Sequence, residues 1–127
     1  MLDHVSIGTH NLARAADFYG QALAPLGYRI TVQNEKEAGL GIGDDWIFFL
    51  YPVAEKTPVI GARSHIALRA RSRHEVAAAH TAALKHGATA VPDRDPAERP
   101  QFGPDYYGCV FTDLDGHAIE LMTRSAM

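Results

Sequence analysis

The first part of the chain changes its hydrophobic period once, near residue 10. Residues 2–8 alternate apolar with small or polar side chains, which is typical of a strand with one buried face. After Asn11, a suitable N-cap, the apolar residues follow helical spacing until Pro25 and Gly27 end the pattern. The apolar positions of this helix are Leu12, Ala15, Ala16, Tyr19, Ala22 and Leu23. Three further extended segments are predicted near residues 28–32, 38–42 and 46–51.

The second half of the chain repeats this plan. Residues 64–69 form another alternating run, and residues 72–75 form a capping box before a second amphipathic helix, which Gly87 ends. His4 precedes His65 by 61 residues, and the glycines that end the two helices are 60 residues apart. An internal duplication of a strand, a helix and three strands explains both spacings.

Two strands, over residues 107–112 and 117–123, are predicted to end the chain as a hairpin. Asp-Gly in the connecting Asp113-Leu114-Asp115-Gly116 segment is a hairpin signal. A calcium loop would need a further acidic position and a distal Glu, which are missing, so we interpret the segment as a turn. After a short strand near residues 89–91, residues 92–105 contain four prolines and are predicted to form a long lid-like loop without helix or strand.

His4, His65 and Glu120 are each predicted to point away from the helices. Side chains alternate along a strand, so the apolar neighbours define the helix side. These neighbours are Val5, Ile7, Ile66, Leu68, Ile119 and Leu121. Two imidazoles and a carboxylate form a facial triad that suits Fe, Mn, Zn, Ni or Co and leaves positions open for water or substrate. An isolated histidine at a strand end is more often an ordinary polar residue, but the shared facing of the three favours a metal site.

Composition narrows the class of protein. At 127 residues and 46% hydrophobic, the chain can form one domain with a real core and is too short for two. A single cysteine, Cys109, cannot form an intramolecular disulfide, so we expect a reducing, cytoplasmic location. A net charge of -3 with scattered Lys and Arg predicts no nucleic-acid partner. The sequence does not begin with a signal-like segment and has no run of about 18 apolar residues. We therefore expect neither export nor membrane insertion. The expected partner is a small molecule.

Four motifs resemble one known family and together cover nearly the whole chain. They are Asp3-His4-Val5, Asp17-Phe18-Tyr19, Ser64-His65-Ile66-Ala67, and residues 113–120, from the hairpin turn to Glu120. The chain resembles the vicinal oxygen chelate superfamily, which includes glyoxalase I, extradiol dioxygenases, fosfomycin-resistance thiol transferases, methylmalonyl-CoA epimerase and bleomycin-binding proteins. The resemblance implies an α+β fold in which two tandem βαβββ modules form a partly closed, cup-like barrel with helices outside. The single domain, residues 1–127, would then divide into module one (1–51), a linker (52–63) and module two (64–127).

In the resembled family the positions of His4, His65 and Glu120 bind a divalent metal, and a carboxylate on the last strand of module one is often a fourth ligand. Aligning the two halves places Phe49 at that position, or Phe48 if the register slips by one. Neither can bind metal, which argues against glyoxalase I activity itself. The resemblance implies a metal-dependent enzyme, dioxygenase-like or lyase- or transferase-like, acting on a small organic substrate through vicinal oxygens bound to the metal. The alternatives are a metal-free small-molecule-binding protein of the bleomycin-resistance type and a scaffold whose cup is packed shut.

Aromatic residues are predicted to line the cup. If Phe49 faces inward with Glu120, Ile47 and Tyr51 share its side, and Phe102 and Tyr106 complete the candidate substrate pocket. Tyr107 is the candidate catalytic residue, since a phenol beside an open metal site can donate a proton. Such a wall suits a ring or an acyl chain better than a highly charged substrate. Arg94 and Arg99 could meet an anionic group, although solvated loop charges are the commoner explanation.

The resemblance also implies a homodimer. Many members complete the cup by pairing module one of one subunit with module two of another, so that His4 would meet His65 across an interface. The sequence leaves this swapped arrangement and a cup within one chain both open.

Overall fold

A computed structural model describes residues 1–127 and contains nine strands and two α-helices. The first module consists of β1 (Val5–Thr9), α1 (Leu12–Ala22), β2 (Arg29–Gln33), β3 (Ala38–Ile42) and β4 (Asp45–Pro52). The second consists of β5 (His65–Arg69), α2 (Arg73–Lys85), β6 (Thr89–Ala90), β7 (Ala97–Glu98), β8 (Tyr107–Thr112) and β9 (Ala118–Thr123). The segment predicted as a linker lies between β4 and β5.

Each module has one mixed sheet of the same design. The first has the strand order β1-β4-β3-β2, and the second β5-β9-β8-β6, with β7 attached to β8. The first and last long strands of each module are parallel neighbours, β1 with β4 and β5 with β9. The predicted α+β class with two βαβββ modules is confirmed. The two sheets do not close into a barrel in the single chain, because they form two separate hydrogen-bonded sets.

The helices begin at the predicted caps. Asn11 accepts a hydrogen bond from the backbone N–H of Arg14 (3.1 Å), and Ser72 accepts one from that of Glu75 (3.2 Å). Glu75 accepts in turn from the backbone N–H of Arg71 (2.8 Å), one residue before the position of an ordinary capping box. Neither helix is long and apolar enough to cross a membrane.

One hydrophobic core joins the two modules. It contains 21 buried residues from both halves of the chain. Phe18 on α1 packs edge-on against Phe111 on β8, with ring centroids 6.1 Å apart, and Tyr19 packs in the same way against Phe48 at 4.8 Å. The two helices also contact each other. Since these contacts bury the helix-facing side of both sheets, the opposite faces are left to solvent, as the exposed Ser6, Tyr51 and Ala67 show.

The Asp113–Gly116 turn fastens the second module to the first. Asp113, which is 6% exposed, accepts hydrogen bonds from the Tyr19 hydroxyl and from the backbone N–H groups of Asp115 and His117 (2.9 Å each). Asp115 accepts from the Thr9 hydroxyl at 2.6 Å. The pKa of Tyr19 is raised well above its ordinary value by burial and by the adjacent Asp113 carboxylate. The segment is therefore the predicted turn, and its acidic groups are satisfied within the chain.

The lid-like loop differs from its prediction. Residues 92–105 contain the short strand β7 and a 3-10 helix, Pro100–Phe102. Backbone hydrogen bonds from Val110 to Arg94 (3.0 Å) and from Arg99 to Tyr106 (2.8 Å) attach the loop to the edge of β8. An edge strand offers unpaired backbone groups, and the loop satisfies them despite its prolines. Arg94 and Phe102 are thus held beside the second sheet.

His80 is a buried histidine without a hydrogen-bond partner at Nε2. It is 5% exposed on α2, and burial lowers its pKa below the ordinary 6.5, with Asp95 acting weakly in the opposite direction. The unfolded chain therefore binds a proton at His80 more readily than the folded one. The contribution of neutral His80 to the free energy of unfolding is therefore complete above pH 6.5. It is lost as the pH falls from 6.5 through the pKa of His80 in the folded state.

Urea unfolding tests this expectation. We expect the free energy of unfolding to fall more steeply between pH 7.5 and pH 5 in the wild type than in His80→Leu, which does not titrate at this position. Equal pH slopes for the two proteins would show that His80 does not resist protonation in the folded state.

Candidate active site

His65 and Glu120 meet on the exposed face of the second sheet. In the parallel β5–β9 pair, His65 is paired with Ala118 and Ala67 with Glu120, so the two side chains are diagonal neighbours on one face. Nε2 of His65 lies 3.6 Å from Oε1 of Glu120. The histidine side chain is 56% exposed, whereas the Glu120 side chain is only 16% exposed. The pair thus joins an accessible imidazole to a largely desolvated carboxylate.

The geometry of this pair suits a shared divalent metal. Two ligand atoms bound at about 2.1 Å in a tetrahedral site lie ~3.4 Å apart, close to the observed separation. A neutral imidazole and a carboxylate oxygen are both suitable ligands for first-row transition metals. The two residues would therefore need little movement to bind one ion. They are two of the three residues that the sequence predicts as ligands.

Tyr106 holds the other oxygen of Glu120. Its hydroxyl donates a short hydrogen bond to Oε2, while Oε1 faces His65. Burial, followed by the hydrogen bond and charge of Glu120, raises the pKa of Tyr106 to about 12. The phenol therefore stays protonated at neutral pH and remains a donor. An outer hydrogen bond of this kind orients a metal-binding carboxylate and leaves one oxygen free.

His4 does not join this pair within the chain. It precedes β1, and its half-exposed side chain lies with Nδ1 2.7 Å from Oδ1 of Asp3. Its ring packs edge-on against Phe49, with centroids 5.3 Å apart, on the exposed face of the first sheet. No three His, Cys, Asp or Glu side chains lie close enough together to hold one metal ion. The structure thus divides the predicted triad into a pair and a single residue.

The strand registers identify the residue equivalent to Glu120. Ser6, two residues after His4, is paired with Phe49, and Ala67, two residues after His65, is paired with Glu120. The sheet register therefore selects Phe49 rather than Phe48 as the counterpart of Glu120. A phenyl ring stands where a fourth ligand would be needed.

The predicted pocket residues divide between the two sheets. Phe49 stacks on Tyr51 with centroids 6.4 Å apart. Ile47, predicted to share their side, lies instead at a β-bulge of β4, where alternation is interrupted, and packs against the hydrophobic core. Trp46, which the sequence analysis did not single out, is 6.3 Å from the Phe49 ring and 48% exposed. Phe102 and Tyr106 lie instead on the second module, with ring centroids 5.4 Å apart. The residues predicted to line one pocket thus lie on two separate sheets.

A cavity of about 700 Å³ lies beside His65 and Glu120 on the second module. Its apolar walls are Val91, Phe102, Tyr106, Val110 and Ala118, and its polar lining is Arg63, Ser64, His65, Arg94, Glu120 and Arg124. A volume of this size accommodates a small organic molecule. Arg63 and Arg124 were missed by sequence reasoning because each lies just outside a strand, where alternation assigns no facing.

Two predicted functional side chains lie elsewhere. Tyr107 shares the helix-facing side of β8 with the buried Cys109, and its ring packs under the Arg73 guanidinium at 5.2 Å. Tyr107 makes no contact with His65 or Glu120. The neighbouring Tyr106 lies beside Glu120, where Tyr107 was predicted to lie. Arg99 donates to the backbone oxygen of Asp95 (2.7 Å) and closes the loop rather than lining the cavity.

Comparisons with known proteins agree on one family. A family model described as the Glyoxalase/Bleomycin resistance protein/Dioxygenase superfamily matches residues 1–121. A crystal structure of a glyoxalase/bleomycin resistance protein from Albidiferax ferrireducens T118 is 25% identical, with 98% of this chain and 99% of that chain covered and a TM-score of 0.81. No curated protein sequence matches the chain.

Two more distant structures share the fold. A glyoxalase-related enzyme from Fulvimarina pelagi is 19% identical, with 97% of this chain and 87% of that chain covered and a TM-score of 0.73. The fosfomycin resistance protein FosX from Listeria monocytogenes is 20% identical, with 97% of this chain and 92% of that chain covered and a TM-score of 0.69.

Proposed function

Because the chain belongs to the Glyoxalase/Bleomycin resistance protein/Dioxygenase superfamily, we propose that it is a metal-dependent enzyme acting on a small organic molecule. His65 and Glu120 of one copy and His4 of a second copy would hold the ion, so that a homodimer carries two sites. The observation that carries this proposal is the 3.6 Å approach of His65 Nε2 to Glu120 Oε1 beside a cavity of about 700 Å³.

The division of the triad supports a composite site. His4 lies on the first sheet and lines a cavity of about 380 Å³ with His65, but it forms no cluster of three ligating side chains with His65 and Glu120, which therefore lack a third ligand. A two-fold dimer makes reciprocal contacts, so it can bring the first sheet of each copy to the second sheet of the other and complete both sites together. Trp46 and Tyr51, which are 48% and 41% exposed, would then gain the cover that they lack in one chain.

The side chains around the pair define what the site can do. A bound divalent metal would supply Lewis-acid or oxygen-activating chemistry to a substrate with adjacent oxygens. Glu120 keeps Oε1 available because Tyr106 donates its single hydroxyl proton to Oε2, and Tyr106 itself lines the cavity. Dioxygenase-like and lyase- or transferase-like reactions both fit this set. Phe49 in place of a fourth ligand argues against glyoxalase I activity.

Cobalt titration of tag-free protein tests the proposal, since Co(II) bound by nitrogen and oxygen ligands absorbs visible light. We expect the wild type to bind one Co(II) per chain, and Glu120→Gln to bind it about tenfold more weakly because an amide oxygen replaces the anionic ligand. Glu35→Gln is a matched control, because Glu35 is exposed and its substitution removes the same charge at a different place on the surface. An absence of saturable cobalt binding, or equal weakening in both variants, would contradict the proposal.

The second candidate function is metal-free binding of a small molecule. Two observations favour it. The Tyr106 hydroxyl already satisfies one oxygen of Glu120, and aromatic residues lie on both sheets at the predicted pocket positions. An aromatic ligand that binds the protein in excess EDTA as tightly as it binds the cobalt-loaded form would favour this candidate over the enzyme.

A further inference from the structure

Three arginines surround the cavity of the second module, and none has a carboxylate partner. Arg63, Arg94 and Arg124 line it together with a single acidic residue, Glu120. The arginine ion pairs of the chain involve Arg71 and Arg73 instead. Since the whole chain carries a net charge of -3, this cationic lining runs against the overall charge. Unpaired arginines converging on a concave surface are suited to bind an anion.

Two of these arginines are held at the cavity rim by contacts within the second module. Arg124 follows β9, and its guanidinium lies over the Tyr106 ring at 5.0 Å. Arg94 is fixed by the hydrogen bond that its carbonyl oxygen accepts from Val110 (3.0 Å). The three side chains are exposed, so a ligand could reach all of them without rearranging the core.

Arg63 has an unfavourable backbone conformation. Its φ of 61° lies in the left-handed region, in a turn closed by the backbone hydrogen bond from Ser64 to Gly61 (3.1 Å). Glycine or asparagine adopts this region at lower cost than arginine. The residue at this turn is thus not the one that local stability favours, whereas its side chain lines the cavity. Strained residues of this kind are concentrated at functional sites.

We infer that the substrate of this site is a small organic anion, with a carboxylate, phosphonate or phosphate group held by Arg63, Arg94 and Arg124. The apolar part of the molecule would lie on Phe102, Val91 and Val110. This inference rests on the proposed function, because it takes the cavity beside His65 and Glu120 as the substrate site. It also extends the expectation from sequence, in which an apolar, aromatic cup suited a ring or an acyl chain better than a highly charged substrate.

Calorimetric titration of protein that has been freed of metal with EDTA and then dialysed into chelator-free buffer separates this inference from the metal proposal. The probes are benzoate, phenylphosphonate and the neutral benzamide, which share a ring and differ in charge. We expect at least one anion to bind about tenfold or more tightly than benzamide, and its affinity to fall on raising NaCl from 50 to 300 mM. Equal affinities for the three probes would overturn the inference, whatever the result of the cobalt titration.

Arginine variants locate the binding. Arg94→Gln and Arg124→Gln are each expected to weaken anion binding about fivefold, the effect of removing one partly exposed charge partner. Arg63→Asn should weaken it similarly without lowering the melting temperature, because asparagine adopts the left-handed conformation at lower cost than arginine. Arg29→Gln is the matched control, since Arg29 is exposed and lies on the first module. Unchanged affinity in the three cavity variants, or equal weakening in Arg29→Gln, would overturn the inference.

Discussion

His4→Ala is expected to lose tight metal binding, by more than about 100-fold in affinity, because it removes one of three protein ligands. The effect is informative because His4 is on the first module and forms no ligand cluster with His65 and Glu120 in its own chain. His65→Ala should show a loss of the same size. Cobalt titration followed by visible absorption measures both.

The fold should survive these changes. The His4 and His65 side chains are 50% and 56% exposed, so their truncation removes little packing. His74→Ala is the matched control, since His74 is exposed on α2 and should leave cobalt affinity unchanged. Wild-type affinity in His4→Ala combined with loss in His65→Ala would place the site wholly within the second module and refute the role of His4.

Asp113→Ala is expected to destabilise the protein by about 3–5 kcal/mol, because buried donors lose their acceptor and each such loss costs about 1–3 kcal/mol. The donors are the Tyr19 hydroxyl and the backbone N–H groups of Asp115 and His117. The Tyr19 bond joins α1 to the hairpin turn of the other module, and the two backbone bonds stabilise the turn itself. Urea unfolding at pH 7 measures the change in the free energy of unfolding.

Two milder variants locate the effect. Tyr19→Phe keeps the turn and leaves only one oxygen of Asp113 without its donor, so it should cost about 1–3 kcal/mol. Asp113→Asn keeps an acceptor for the backbone groups and should also cost less than Asp113→Ala. If Asp113→Ala lowers the free energy of unfolding by less than about 1 kcal/mol, the turn does not hold the modules together.

Periodicity predicted the two helices, the long strands and the shared facing of His65 and Glu120, because these depend on neighbours along the chain. The two helices, their caps and the hairpin turn follow from such local signals. The duplication also identified Phe49 as the module-one equivalent of Glu120, and the registers of the two sheets agree with this. Alternation fixes the direction of a side chain relative to its own sheet, which is why His65 and Glu120 were correctly assigned to one face.

The arrangement of one sheet relative to the other could not be predicted in this way. Whether His4 lies near His65 depends on packing between modules, through contacts such as Phe18 with Phe111 that join residues far apart in sequence. The choice between Tyr106 and Tyr107 depended on the β8–β9 register, in which Val110 and not Cys109 is opposite Glu120. The position of Arg63 at the cavity depends on a left-handed backbone conformation, which the sequence does not indicate because the residue there is not glycine.

A mixing experiment tests the composite site most directly. His4→Ala and His65→Ala are unfolded in urea, refolded together in equal amounts, and titrated with Co(II) beside wild type treated in the same way. If sites form between copies, half of the dimers are mixed and each has one intact site, so about a quarter of the wild-type cobalt sites should return. Each variant refolded alone should show none. A mixture that binds no more cobalt than the separate variants would contradict the proposal that His4 of one copy completes the site of another.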